Sequence, residues 1–217
     1  MRARFPSLLS AALAATALLA MPALAAPDLK AKPAPQTPNA GHWVKPPAKL
    51  PLVAKGDHAN RLDLLFKALK AAPDEETAKA IEIRIWSMWM VSPSDTANLL
   101  MTRVREAIEG KDIKLAMKLL DAIIKIKPSY VEAWNQRATL EYQQRQFGRA
   151  IADISQVLQR EPRHFGALSG LGMIYQEIGD DKEALEAYRQ ALKVYPRLQH
   201  IPDVVKKLSE EIDGRNI

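Results

Sequence analysis

Few side chains in this sequence have the type and spacing to do chemistry. There is no cysteine, which excludes thiolate catalysis, disulfides, iron–sulfur clusters and thiolate zinc sites. Acid–base or metal work would fall to four histidines, His42, His58, His164 and His200. His164 and His200 follow Pro162 and Pro196, positions that read as solvated turns, and no carboxylate spacing around them suggests a metal. Gly170-Leu171-Gly172 looks like part of a phosphate loop, but Tyr175 stands where a third glycine is needed and no strand precedes it. Close packing of helices explains these glycines better. Nothing matches a hydrolase elbow, a paired-histidine zinc helix or a Walker loop. The expectation is a chain without catalytic residues, cofactor or metal, so its function must lie in a surface.

The elements that build that surface are set by composition and period. The chain has 217 residues, 47% of them hydrophobic and 26% charged, enough for one main domain with a real core. Its formal charge of +6 is concentrated early: Arg2 and Arg4, then Lys30, Lys32, Lys45, Lys49 and Lys55 against Asp28 and Asp57. Residues 61–217 are left nearly neutral, with both signs interspersed. Steering toward a polyanion needs a concentrated field of one sign, so a nucleic-acid partner is not expected.

Residues 1–25 read as a secretory signal: Arg2 and Arg4, an apolar run over 8–20, Pro22, then Ala23-Leu24-Ala25 as a small-x-small cleavage site. The run is short for a membrane span. The expected product is a periplasmic or secreted bacterial protein beginning at Ala26, with no membrane span after cleavage; an uncleaved anchor is the alternative. Residues 26–56 hold Pro27, Pro33, Pro35, Pro38, Pro46, Pro47 and Pro51, which prohibit helix and central strand and predict an extended arm. At about 3.1 Å per residue such an arm reaches on the order of 90 Å. Within it, His42 and Trp43 form a candidate linear docking motif; otherwise Trp43 packs on the chain's own body.

Further on the chain repeats itself. Pro128, Pro162 and Pro196 are evenly spaced by 34 residues, and Ala116, Ala150 and Ala184 keep the same step. Between them apolar residues recur on one helical face, as in Ala150, Ile151, Ile154, Val157 and Leu158. Ser129 with Glu132 and Asp180 with Glu183 read as capping boxes, and the prolines close the second helices. Residues 61–71 and 77–91 predict a preceding helix pair within 57–96, either a degenerate repeat or an N-terminal cap. Residues 202–212 predict a capping helix within 199–217 whose Lys206, Lys207, Glu210 and Glu211 face solvent. In the pair, Trp86, Trp89 and Met90 form either a partner patch or the filling of a sandwiched helix.

This period and these positions resemble the tetratricopeptide repeat. The copy at 165–198 carries the pattern best, with Leu168, Leu171, Gly172, Tyr175, Ala184, Tyr188 and Pro196. The copy at 131–164 keeps Trp134, Ala138, Ala150, Ile154 and Pro162 but has Arg137 and Glu141 at the family's leucine and tyrosine positions. The copy at 97–130 keeps Leu100, Ala107, Ala116, Leu120 and Pro128, with Arg103 and Val104 in place of leucine and glycine. The resemblance implies an all-α, right-handed solenoid of helix-turn-helix repeats whose inner wall binds proteins. Carried over by position, that wall comprises Asn98, Met101, Arg105 and Ile108, then Asn135, Thr139, Tyr142 and Gln143, then Ser169, Met173, Gln176 and Glu177. Met101, Arg105 and Asn135 occupy places where some relatives clamp a C-terminal carboxylate, without the full basic set. The expected role is a non-enzymatic adaptor of the bacterial envelope that docks a peptide or partner helix. The alternative is a structural homo-oligomer joined through the solenoid ends or the Trp86/Trp89 helix.

Overall fold

A computed structural model of the chain describes residues 58–214, which form α-helices connected by short turns. The helices are α1 (His58–Lys70), α2 (Glu75–Trp89), α3 (Asp95–Glu109), α4 (Ile113–Ile126), α5 (Val131–Gln143), α6 (Phe147–Arg160), α7 (Phe165–Ile178), α8 (Asp181–Val194) and α9 (Ile201–Gly214). The expected signal over 1–25, the proline-rich segment 26–56 and the candidate motif at His42 and Trp43 lie outside the described residues. The architecture is an all-α solenoid of helical repeats.

The 34-residue period appears in the backbone itself. Helices α4, α6 and α8 begin at Ile113, Phe147 and Asp181, each 34 residues after the last. The turn before each passes through a left-handed residue, Lys111, Arg145 and Gly179, with φ of 59°, 59° and 84°. A bond from the next amide then closes each turn on the preceding helix: Asp112 to Ala107, Gln146 to Glu141, and Asp180 to Tyr175, each 2.8 Å. Only the third repeat has the glycine that this conformation favours. Asp112 and Asp180 cap the following helices, accepting from Leu115 N and Glu183 N.

Small residues set the spacing within each repeat. Ala116, Ala150, Ala184 and Ala191 are fully buried where second helices meet their neighbours. At Gly172 a Cβ would stand only 2.6 Å from the Tyr188 ring, so α7 and α8 can touch this closely only without a side chain there. That contact is the physical role of the second glycine in Gly170-Leu171-Gly172.

The pair α1–α2 does not form a layer in front of α3. Its core residues Leu62, Phe66, Leu69, Ile85 and Trp89 share one cluster with Phe165, Leu168, Tyr188, Tyr195 and Leu198 of the third repeat and with Ile201 and Leu208 of α9. The cap expected at the first repeat therefore sits across the other end of the array. The reason is volume: Trp86 and Trp89 need large apolar partners, and α7 supplies Phe165 together with a gap at Gly166. A Cβ on Gly166 would lie 2.9 Å from the edge of the Trp86 indole. Polar ties fix the same placement. Arg163 reaches Asp63 at 2.6 Å, Arg197 donates to the Ala72 and Pro73 carbonyls, and the Tyr130 hydroxyl donates to Met90 O at 2.7 Å.

Candidate functional site

Because α2 crosses the array, one of its faces looks at the first helices of the second and third repeats. Lys79, Glu82, Trp86 and Met90 recur at helical spacing on that face. Opposite them stand Asn135, Gln136, Thr139 and Tyr142 of α5, and Phe165, Gly166, Ser169, Gly170 and Met173 of α7. Between the walls lies a cleft of about 170 Å³. Most of its lining is apolar, with amides and hydroxyls at intervals. Such a surface accepts an apolar side chain while offering hydrogen bonds to the backbone that carries it.

A buried carboxylate organises the floor. Glu132 is fully buried and accepts from Gln136 Nε2 at 2.6 Å and from Asn135 Nδ2 at 3.2 Å. His164, also fully buried, has its Nε2 3.4 Å from Glu132 Oε2, within ion-pair range but outside hydrogen-bond alignment. Its Nδ1 accepts the Ala167 amide at 3.0 Å and so caps α7, which leaves the ring proton on Nε2, toward Glu132. This His–Glu contact sits against an aromatic cluster. Trp89 stacks on the His164 ring at 4.0 Å and 11°, and Trp86 meets Trp89, His164 and Phe165 edge-on at 5.3, 5.4 and 5.7 Å. On the far side Glu82 accepts from Trp86 Nε1 and the Tyr195 hydroxyl and pairs with Lys79 at 3.0 Å. Burial, then the Glu82 charge, push the Tyr195 hydroxyl up from its ordinary value.

Two sequence readings are corrected here. His164 is not a solvated turn residue but part of the core, because its ring is sandwiched under Trp89; His200 is the exposed one. The Ser129–Glu132 capping box does not form. Tyr130 holds the N-cap position without a side-chain cap bond, since Glu132 is drawn inward by Asn135 and Gln136. In the Trp86/Trp89 helix, Trp89 is 6% exposed and Trp86 faces the cleft.

Of the wall residues inferred from sequence, the structure gathers Asn135, Thr139, Tyr142, Ser169 and Met173 around the cleft. It leaves the others elsewhere. Met101 is 2% exposed in the core of the first repeat, and Ile108 packs against that core. Asn98 is spent on local structure, bridging the Ser92 amide and carbonyl at 2.8 Å each. Arg105 donates to Thr102, Gln143 is exposed, Gln176 accepts from the Tyr188 hydroxyl, and Glu177 faces Arg145 at 3.6 Å. Sequence reasoning missed Glu132, Gln136 and the α2 face. The i, i+3, i+7, i+11 spacing of Lys79, Glu82, Trp86 and Met90 was visible, but the wall they oppose was not.

Of the two departures from the repeat pattern, at Arg137 and Glu141, the first joins successive repeats. Arg137 holds Asp153 of α6 through two bonds of 2.6 and 2.8 Å and Asp121 of α4 at 2.6 Å. Glu141, 5% exposed, lies near Asp153; burial first, then that carboxylate, push its acid up to about 7. Among the described residues no group of three or more metal-ligating side chains occurs, and no helix is long and apolar enough to cross a membrane.

Comparison with known proteins agrees with this geometry. Residues 135–197 match the tetratricopeptide repeat family model. A TPR repeat-containing protein of Rhizobium etli is 40% identical over 161 residues, which cover 74% of this chain and 79% of that protein. Two solved structures share the fold at 17% identity. The first TPR of Spaghetti, bound to the HSP90 peptide SRMEEVD, superposes with a TM-score of 0.52 over 55% of this chain and 95% of that one. MamA superposes with a TM-score of 0.51 over 74% and 81%. With the 34-residue period built into its helix starts and turns, and a relative matched along most of its length, the chain belongs to the tetratricopeptide repeat family.

Proposed function

We propose that this protein is a non-enzymatic adaptor of the bacterial cell envelope that binds an extended peptide segment of a partner protein in the cleft between α2 and the α5–α7 wall. The observation that carries this reading is the cleft itself. Trp86, Met90, Tyr142 and Met173 offer apolar contact, and Asn135, Thr139 and Ser169 stand beside them with hydrogen-bonding groups. A peptide anchored by one large apolar side chain fits that lining, and its neighbouring amides would meet the polar groups. A repeat array of this fold bound to a peptide, the first TPR of Spaghetti, supports the mode of binding. The envelope assignment rests on the basic start, apolar run and Ala23-Leu24-Ala25 of the leader.

Selection of displayed random peptides on the full chain tests the reading. Enriched sequences should share an apolar anchor and lose at least about tenfold in affinity on Tyr142→Ala with Met173→Ala, with helicity by circular dichroism unchanged. If no peptide is enriched, or if the enriched ones bind the double variant equally well, the cleft is not the binding site.

A further inference from the structure

The placement of α1–α2 on the third repeat has a consequence at the other end of the array. In stacked helical repeats each unit buries its apolar face only against the next. Here the unit that precedes α3 in sequence is engaged with α7–α9, so the leading face of α3–α4 is uncovered by any described helix. That face carries Leu99 at 63% exposure, Leu115 at 45% and Ile126 at 49%. Between α3 and α4 a groove of about 340 Å³ runs past Arg103, Glu106, Leu115 and Leu119, where a preceding repeat would lay its second helix. Leu115, Leu119 and Ile126 recur at i, i+4 and i+11, one stripe along α4, while Leu99, Arg103 and Glu106 make the matching stripe on α3.

Charge identifies the occupant. The exposed carboxylates of α3, Asp95, Glu106 and Glu109, outnumber its one exposed arginine, Arg103, which stands 3.9 Å from Glu106, while Arg105 is half-buried and donates to Thr102. On α4 the exposed charges are Lys114, Lys118 and Lys125, while Asp121 is engaged by Arg137 of the following repeat. One helix of the face is acidic and its antiparallel neighbour is basic. A two-fold axis lying in the face and running parallel to the helices lays α3 of each copy on α4 of the other, so both acidic–basic contacts form at once around a shared leucine–isoleucine centre. We propose that the α3–α4 end of the array is a two-fold interface with a second copy of this chain. The interface lies on the opposite side of α3–α4 from the contact with α5 and does not involve the α2–α5–α7 cleft, so it stands or falls independently of peptide binding.

Sedimentation velocity of the full chain over a concentration series tests it. The wild type should convert from monomer to dimer as concentration rises, and more weakly as salt is added. Leu99→Glu with Leu115→Glu should weaken association by at least about 30-fold while leaving helicity and selected-peptide binding intact. A charge-exchange pair supplies the sharper measurement. Lys114→Glu with Lys118→Glu makes both helices acidic, and Glu106→Lys with Glu109→Lys makes both basic. Each variant alone should remain monomeric, and an equimolar mixture should dimerise. A wild type that stays monomeric at every concentration overturns the proposal and leaves the face to another segment or partner. Association that survives the leucine changes, or a mixture that fails to dimerise, overturns it equally.

Discussion

Replacing Glu141 by glutamine should stabilise the protein at neutral and alkaline pH and do almost nothing in acid. Glu141 is 5% exposed, one of its oxygens, Oε2, is buried without a hydrogen-bond partner, and its acid is raised from 4.5 to about 7 by burial and by Asp153. Below pH 4.5 the group is protonated in both the folded and unfolded chain and contributes no difference. Between 4.5 and about 7 the folded chain keeps the proton that the unfolded chain has lost, so stability falls as pH rises through this window. Above 7 the folded chain bears the full cost of a buried charge. A carboxyl moved over that range has lost roughly 3 kcal/mol of preference for its charged form. Glu141→Gln keeps the shape and removes the charge, so its advantage over the wild type should grow from near zero at pH 4 to about 2–3 kcal/mol at pH 8. For a domain of this size that difference is a rise in Tm of roughly 5–10 °C. Thermal melts of both proteins from pH 4 to 8 read it directly, because titrating groups that do not interact with Glu141 cancel in the comparison. A difference that is absent, or that is the same at all pH values, would refute the reasoning.

Other substitutions probe the remaining joints. Arg137→Leu restores the family's usual residue yet should cost about 3–5 kcal/mol in urea denaturation, because Asp153 is left buried without its guanidinium; a change within experimental error would sink the idea that this network ties the repeats together. Gly166→Ala places a Cβ 2.9 Å from the Trp86 ring, so α2 must shift at a cost of about 1–3 kcal/mol. Tryptophan emission should move while helicity stays constant, and unchanged emission and Tm would place Trp86 elsewhere. Lys111→Gly supplies at the first turn the residue already present at Gly179 and should gain up to about 1 kcal/mol by relieving a φ of 59°; a loss of stability would mean that the lysine side chain matters more than the backbone.

How much was legible in advance depended on whether the controlling contact was local. The three repeats were readable because a helix pair leaves a periodic trace: Ala116, Ala150 and Ala184 mark close approaches, and Pro128, Pro162 and Pro196 mark ends. Helices α1 and α2 were also readable from their apolar spacing, starting within three residues of where they lie. The cleft was only half legible. Thr139, Tyr142, Ser169 and Met173 follow from repeat position, because the inner face of a first helix is set by helical geometry. Met101 and Asn98 failed the same rule, since the first copy is degenerate and its helix turns these residues to the core and to Ser92.

The amino-acid sequence by itself therefore determined the repeat, its period and the helix boundaries, because these depend on contacts within a helix pair, and its lack of cysteine determined the absence of thiol chemistry. The tertiary structure alone decided where the N-terminal pair would go. That choice turned on a long-range fit, Trp86 into the gap at Gly166 and Trp89 over His164, between residues about eighty positions apart that no local pattern connects. From it follow the buried histidine, the roof over the cleft and the uncovered end at α3–α4. A solenoid specifies its own layers through nearest-neighbour contacts, whereas the position of an added helix pair is settled by which distant face offers the matching volume and polar ties.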